Sequence, residues 1–143
     1  MTETLFDELG GKDCLDRVHH IFYNKLLGHE WLKHFFVGKT QDNLESQQTD
    51  FMMGLFGGPR VYGGRMPKSA HMHLFVTEEV FLLRHDMLGQ SLDEAGVPAD
   101  LKARWLDYDM KMKGALVKTD ISQCKGRFTT DPVIAPPKPE NFS

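Results

Sequence analysis

The chain has no internal repeat and no strand-like alternation of useful length, so a sheet-based fold and a repeat array are set aside. It also lacks long apolar runs. No stretch approaches the roughly 20 residues that a membrane helix needs. The N-terminus MTETLFDELGG does not have the form of a signal peptide. Cysteine is scarce: Cys14 and Cys124 lie far apart, with no CxxC pair and no disulfide framework. Two isolated thiols fit a reducing, cytoplasmic compartment. There is no HExxH and no carboxylate–histidine spacing, so the usual zinc and di-iron sites are not indicated. The net charge of -3 supplies no general attraction to nucleic acid or to anionic membranes.

What is present fits one domain with one core. The 143 residues are 41% hydrophobic and 26% charged. Seven histidines and eight methionines are many for this length and point toward metal chemistry without locating it. Prolines at 59, 67, 98, 132, 136, 137 and 139 leave long gaps that helices fit. Thr4 caps a short first helix, which Gly10–Gly11 stops. From about Asp13 to Leu27, Leu15, Val18, Phe22 and Leu26 recur at helical spacing, with Tyr23 on the border of that face. WLKHFF follows and sets Phe35 beside Phe36. A helix from about Thr40 to Leu55 carries the stripe Leu44, Gln47, Gln48, Phe51, Met52 and Leu55. A glycine-rich loop, GGPRVYGGRMP with Tyr62 in its middle, leads to a short helical stretch bearing His71. Thr77 caps the next helix, where Arg84 intrudes on the face made by Val80, Phe81, Met87 and Leu88. Pro98 opens a last long helix lined by Leu101, Trp105, Tyr108, Met112 and Leu116. Beyond Thr119 the chain is proline-rich and expected to be extended or mobile.

The result is an all-α fold with a connecting loop long enough to wrap something. Bundle connections run about 2–8 residues. Gln47 and Gln48 interrupt an apolar stripe, and a buried amide without a partner costs about 1–3 kcal/mol. One of the two can face solvent; alternatively, with the Tyr23 hydroxyl, they form a polar island that hydrogen-bonds a small ligand on a metal. His71 is the candidate for that metal, although a lone histidine in a helix is also an ordinary structural residue. His73, two positions on, would point elsewhere on a helix, so the pair is not a clamp. One histidine ligand, aromatic walls and no further ligand set match the needs of haem, since the porphyrin supplies four nitrogens. Arg65 and Lys68 precede His71, within reach of haem propionates or simply solvated.

At this point the order of motifs resembles the truncated haemoglobins, most closely their first group, over residues 4 to about 118. LGG near the start, FY at 22–23, FF at 35–36, LESQQTDF at 44–51, GGPRVYGGR, and AH at 70–71 followed by LFVTEEVF occur at matching separations. The resemblance implies a two-over-two helical sandwich around haem b, with His71 as proximal ligand. It implies Tyr23 and Gln48 as hydrogen-bond donors to the ligand, with Gln47 beside them and Leu44 at the gate. Phe22, Phe35, Phe36, Phe51, Tyr62, Arg65, Lys68 and Phe81 are the expected haem contacts. The globin domain then spans 1–119, and 120–143 is a separate extension.

The expected function is reversible binding of O2, NO or CO in a monomer or weak homodimer. Alternatives are NO oxidation or peroxidase-like turnover with an external reductase, and a sensor or redox protein that meets its partner through the tail. The sequence departs from the family at Arg84, where an apolar residue is usual; it can bend outward, pair with Asp86 or a propionate, or tune the pocket. Pro67 replaces a frequent methionine. No histidine occupies 44, 47 or 48, which speaks against a histidine-ligated six-coordinate iron.

Overall fold

The structure is a computed structural model that describes residues 3–64, 66, 70–126 and 132–140. Its first helix, α1 (Leu5–Leu9), begins with a reciprocal cap. The Asp7 amide donates to the Thr4 hydroxyl at 3.1 Å, and the Thr4 amide donates to the Asp7 carboxylate at 3.4 Å. Gly10, at φ +96°, ends it in the left-handed region that glycine adopts without strain. The Phe6 amide donates to the Phe56 carbonyl at 3.0 Å, which seats α1 on the chain after the third helix. A Cβ on Gly58 would lie 2.6 Å from the Phe6 ring, so this approach requires glycine.

Helix α2 (Lys12–Gly28) buries Leu15, Val18, Phe22 and Leu26, the predicted face, together with His19 and Tyr23. A 3-10 turn (Leu32–Phe36) follows. Helix α3 (Gln41–Leu55) starts where the Thr40 hydroxyl accepts from the Asn43 amide. Of its predicted stripe Met52 is buried and Leu44, Gln48 and Phe51 are half-buried, whereas Gln47 is exposed and Leu55 is 37% exposed. Helix α4 (Glu78–Glu94) is capped by Thr77, whose hydroxyl accepts from the Val80 amide at 3.2 Å. The expected last long helix is in two pieces, α5 (Ala99–Lys111) and α6 (Lys113–Leu116), with a turn at Met112 between them.

Packing makes two pairs: α2 lies against α3, α4 lies against α5, and α2 also meets α4. This is the two-over-two arrangement, and the described residues hold no strand, only two isolated parallel bridges, Leu74 with Ile134 and Val76 with Val117. No helix among them is long and apolar enough to cross a membrane. His19 and Thr49 bolt α2 to α3 through a buried 2.7 Å hydrogen bond, with Trp105 and the imidazole edge-on at 5.7 Å between centroids. Burial pushes the His19 pKa down to about 3, so the imidazole is neutral there. The described part of the tail holds one 3-10 turn, Ile121–Gln123, is otherwise irregular, and is packed: Trp31 Nε1 donates to the Pro136 carbonyl at 3.1 Å, and Lys138 pairs with Glu79.

Candidate functional site

Between the two helix pairs lies a cavity of about 230 Å³. Residues about one helical turn apart on α3 supply one side of it: Leu44, Gln47, Gln48 and Phe51 recur at intervals of three and four, so they share a face. From α2 come Phe22, Tyr23 and Leu26, and the 3-10 turn adds Leu32, Phe35 and Phe36. Tyr62 reaches in from the glycine-rich loop and meets Phe51 edge-on, with centroids 5.3 Å apart. Each of these except Leu26 and Leu32 is a site residue expected from the sequence, and the fold brings them to one place.

Tyr23 is the polar centre of this wall. Its ring lies 5.4 Å from Phe22 and edge-on to Phe36 at 6.0 Å. Burial raises its pKa to about 12, opposed by the Arg84 charge and helped by Glu45. The phenol therefore stays protonated and keeps a donor in an apolar setting. Gln48 is half-buried beside it and Gln47 is more exposed.

A second wall comes from residues 70–76, where Ala70, His71, His73, Leu74 and Val76 line the cavity. The Ala70 amide donates to the Met66 carbonyl at 2.8 Å, and the chain then leaves helical geometry in a turn over 71–73. This corrects one expectation. On a continuous helix His73 would point away from His71, but in a turn the 3.6-residue period does not apply. Both residues line the cavity, His71 half-buried and His73 only 3% exposed.

Arg84 also reaches the cavity from α4. Its Nη2 donates to Asp109 Oδ1 at 2.5 Å, and its guanidinium lies over the rings of Phe81 (5.0 Å) and Phe22 (5.8 Å). Of the alternatives that the sequence leaves open for Arg84, the pairing with Asp86 does not form. Two residues along a helix is more than half a turn of rotation, so Asp86 faces solvent and accepts from Gln90 at 3.0 Å. Asp109 also meets His85 Nδ1 at 2.6 Å. Sequence reasoning misses Asp109, Lys39 and His85. A signal exists for the first: Asp109 sits between Trp105 and Met112 on the apolar face of the last helix. Phe81, expected in contact with haem, is fully buried behind the wall, under Arg84 and stacked on His85. Arg65, Pro67 and Lys68 lie outside the described residues.

Among the described residues no cluster of three or more histidine, cysteine or acidic side chains could hold a bare metal ion. A flat macrocycle that carries its own four nitrogens needs less: one imidazole and an apolar, aromatic slot. The wall of His71 and His73, the surrounding phenylalanines, and the lining Lys39 as a cation for a carboxylate meet those needs.

A family model for bacterial-like globins matches residues 4–118. A group 1 truncated hemoglobin of Tetrahymena pyriformis is 35% identical over 95 residues, covering 66% of this chain and 78% of the relative. The crystal structure of the truncated hemoglobin from the same organism in its Fe(III) form superposes with a TM-score of 0.73 at 29% identity, covering 82% of this chain and 100% of that one. The 2/2 hemoglobin of a Synechococcus species, in the cyanomet state with covalently attached heme, gives a TM-score of 0.69 at 29% identity over 76% of this chain and 91% of its own.

Proposed function

Since the chain belongs to the truncated haemoglobins of the bacterial-like globin family, with a haem b group that binds O2 and related diatomics, we propose that His71 gives iron its fifth ligand and that Tyr23 and Gln48 hold the bound gas. Haem b, when bound, would supply the iron that takes up O2, NO or CO. The carrying observation is that His71 and the Tyr23–Gln48 pair, far apart in sequence, line one aromatic-walled cavity. The phenol donates to the negative end of a polarised diatomic, and the Gln48 amide adds a second donor. In a dry pocket each is worth about 1–3 kcal/mol. Phe22 and Phe36 limit water beside that site, which slows loss of the ferrous state. Leu44, one turn before Gln48 on the cavity face of α3, is assigned as the gate, with Gln47 beside the donors.

His71 is favoured over His73 because it carries the AH motif, while His73 is packed as a core residue at 3% exposure. Re-reduction of iron is assigned to a separate reductase. Cys14 and Cys124 are both thiols, which supports a reducing, cytoplasmic setting. The test is the visible spectrum of the holoprotein in ferric, ferrous and CO-bound forms beside His71→Ala and His73→Ala. The expected result is loss or strong weakening of the Soret band in the first variant and its retention in the second; the reverse pattern moves the ligand to His73.

A further inference from the structure

The segment that carries His71 has a backbone problem. Residues 71–76 leave the helix, so their carbonyls lose the regular i+4 partners, yet His73, Leu74 and Val76 are each under a tenth exposed. Buried carbonyls need donors. Apart from the Leu74 amide, which donates to the His71 carbonyl at 2.9 Å, the donors come from one place, the chain after α6.

The Lys118 amide donates to the Val76 carbonyl at 2.8 Å. The Lys118 ammonium donates to two more, His71 O at 3.0 Å and Leu74 O at 2.7 Å. The Lys125 amide reaches Met72 O at 2.8 Å. The Ile134 amide reaches His73 O at 2.8 Å, and Ile134 O accepts from the Phe75 amide at 2.9 Å. Carbonyls 71, 72, 73, 74 and 76 therefore all accept from Lys118, Lys125 or Ile134. The two parallel bridges, Leu74 with Ile134 and Val76 with Val117, are parts of the same contact. Further out, Trp31 anchors Pro136, and Lys138 pairs with Glu79 at the start of α4. Two of these donors, Lys125 and Ile134, lie beyond the region that the globin family model matches.

We propose that residues 117–126 and 132–138 form a proximal strap, which fixes the backbone of 71–76 and so positions the His71 imidazole for the iron. The proposal rests on the reading of His71 as the ligand. It makes the C-terminal extension an intramolecular tether on the proximal side. Lys118 and Ile134 are positioning residues, since they act on the iron only through the chain that bears the imidazole. Among the described residues no hydrogen bond joins the strap to the distal donors Tyr23 and Gln48, on α2 and α3.

That separation makes the test. Full-length holoprotein is compared with Ile134→Pro, which removes the amide that holds His73 O, with Lys118→Met, which removes the ammonium from two carbonyls, and with a chain ending at Thr119. Three quantities are read: the iron–histidine stretching band of the unligated ferrous form, the C–O stretching band of the CO form, and the rate of haem transfer to excess apomyoglobin. The strap predicts a shifted or broadened iron–histidine band and haem transfer about ten-fold faster or more. The C–O band, which reports Tyr23 and Gln48, stays in place. An unchanged iron–histidine band overturns the proposal even if haem transfer quickens, and so does a joint shift of both bands, which indicates general loosening. If the truncated chain does not fold, the two point variants decide. His71→Ala keeps the failures apart: an iron–histidine band that survives in that variant removes the ligand assignment, and the strap falls with it for that reason alone.

Discussion

Arg84 Nη2 and Asp109 Oδ1 are 2.5 Å apart, and their bond joins α4 to α5 at the wall of the cavity. Asp109 is 4% exposed and also meets His85, so one carboxylate serves two neighbours from the same helix. Arg84 Nε is buried with no hydrogen-bond partner among the described residues, so the guanidinium depends on Asp109 for most of its compensation. Removing one partner of a buried pair leaves a charge stranded. Asp109→Ala is expected to cost about 2–4 kcal/mol, at or below the usual range because the arginine side chain is 20% exposed. Arg84→Met, which keeps the volume and lets Asp109 stay with His85, should cost less. Urea unfolding of the two holoprotein variants checks the order; equal losses would mean the pair matters for packing alone.

Tyr23 should control ligand release. Tyr23→Phe removes the donor but keeps the ring against Phe22 and Phe36, so the O2 dissociation rate should rise roughly ten-fold, the equivalent of about 1.4 kcal/mol. Stopped-flow displacement of O2 by CO measures it. An unchanged rate removes Tyr23 from the role.

The same phenol makes a pH prediction. Its pKa is raised from 10 to about 12 in the folded protein by burial. The stability linked to the neutral form is therefore complete below pH 10 and is lost as the pH rises through about 12. Between about pH 7 and pH 9, below both values, the wild-type O2 release rate should show no step from Tyr23, and Tyr23→Phe should differ from it by a constant factor.

Gln48 and Tyr23 serve one small ligand, so their contributions should not add. Gln48→Leu alone should speed O2 release by a few-fold. The double variant with Tyr23→Phe should depart from the product of the single effects by about 0.5 kcal/mol or more. Full additivity would place Gln48 away from the ligand.

His19 sets an acid limit. Its pKa is lowered from 6.5 to about 3 because burial disfavours the cation. Between those values the unfolded chain binds a proton that the folded chain refuses, so stability falls as the pH drops below 6.5, by up to about 1.4 kcal/mol per pH unit. His19→Gln, which can still bond Thr49, should flatten this slope between pH 6.5 and about pH 5. Urea midpoints at those two pH values for both proteins decide it.

The limits of legibility fall at particular residues. Thr4 and Thr77 are identifiable as caps because capping is a local event, one hydroxyl and an amide three residues on. The shared face of Leu44, Gln47, Gln48 and Phe51 follows from helical period alone. His73 is misplaced when that period is carried past Ala70, where the helix gives way to a turn. For Arg84 the nearest acid along the chain is Asp86, but its partner stands on another helix.

Short-range physics accounts for everything that could be read directly from the residues: which segments are helical, where they start, which faces are apolar, and which polar groups break those faces. The order of the motifs also carried the family. Contacts between segments distant in the chain needed the folded molecule: the Arg84–Asp109 bond, the His19–Thr49 bolt, and the bonds from Lys118, Lys125 and Ile134 to the carbonyls of 71–76. No periodicity encodes those. They arise because a compact chain must give every buried polar group a partner, and the partner is whichever donor or acceptor the packing of the helices brings near.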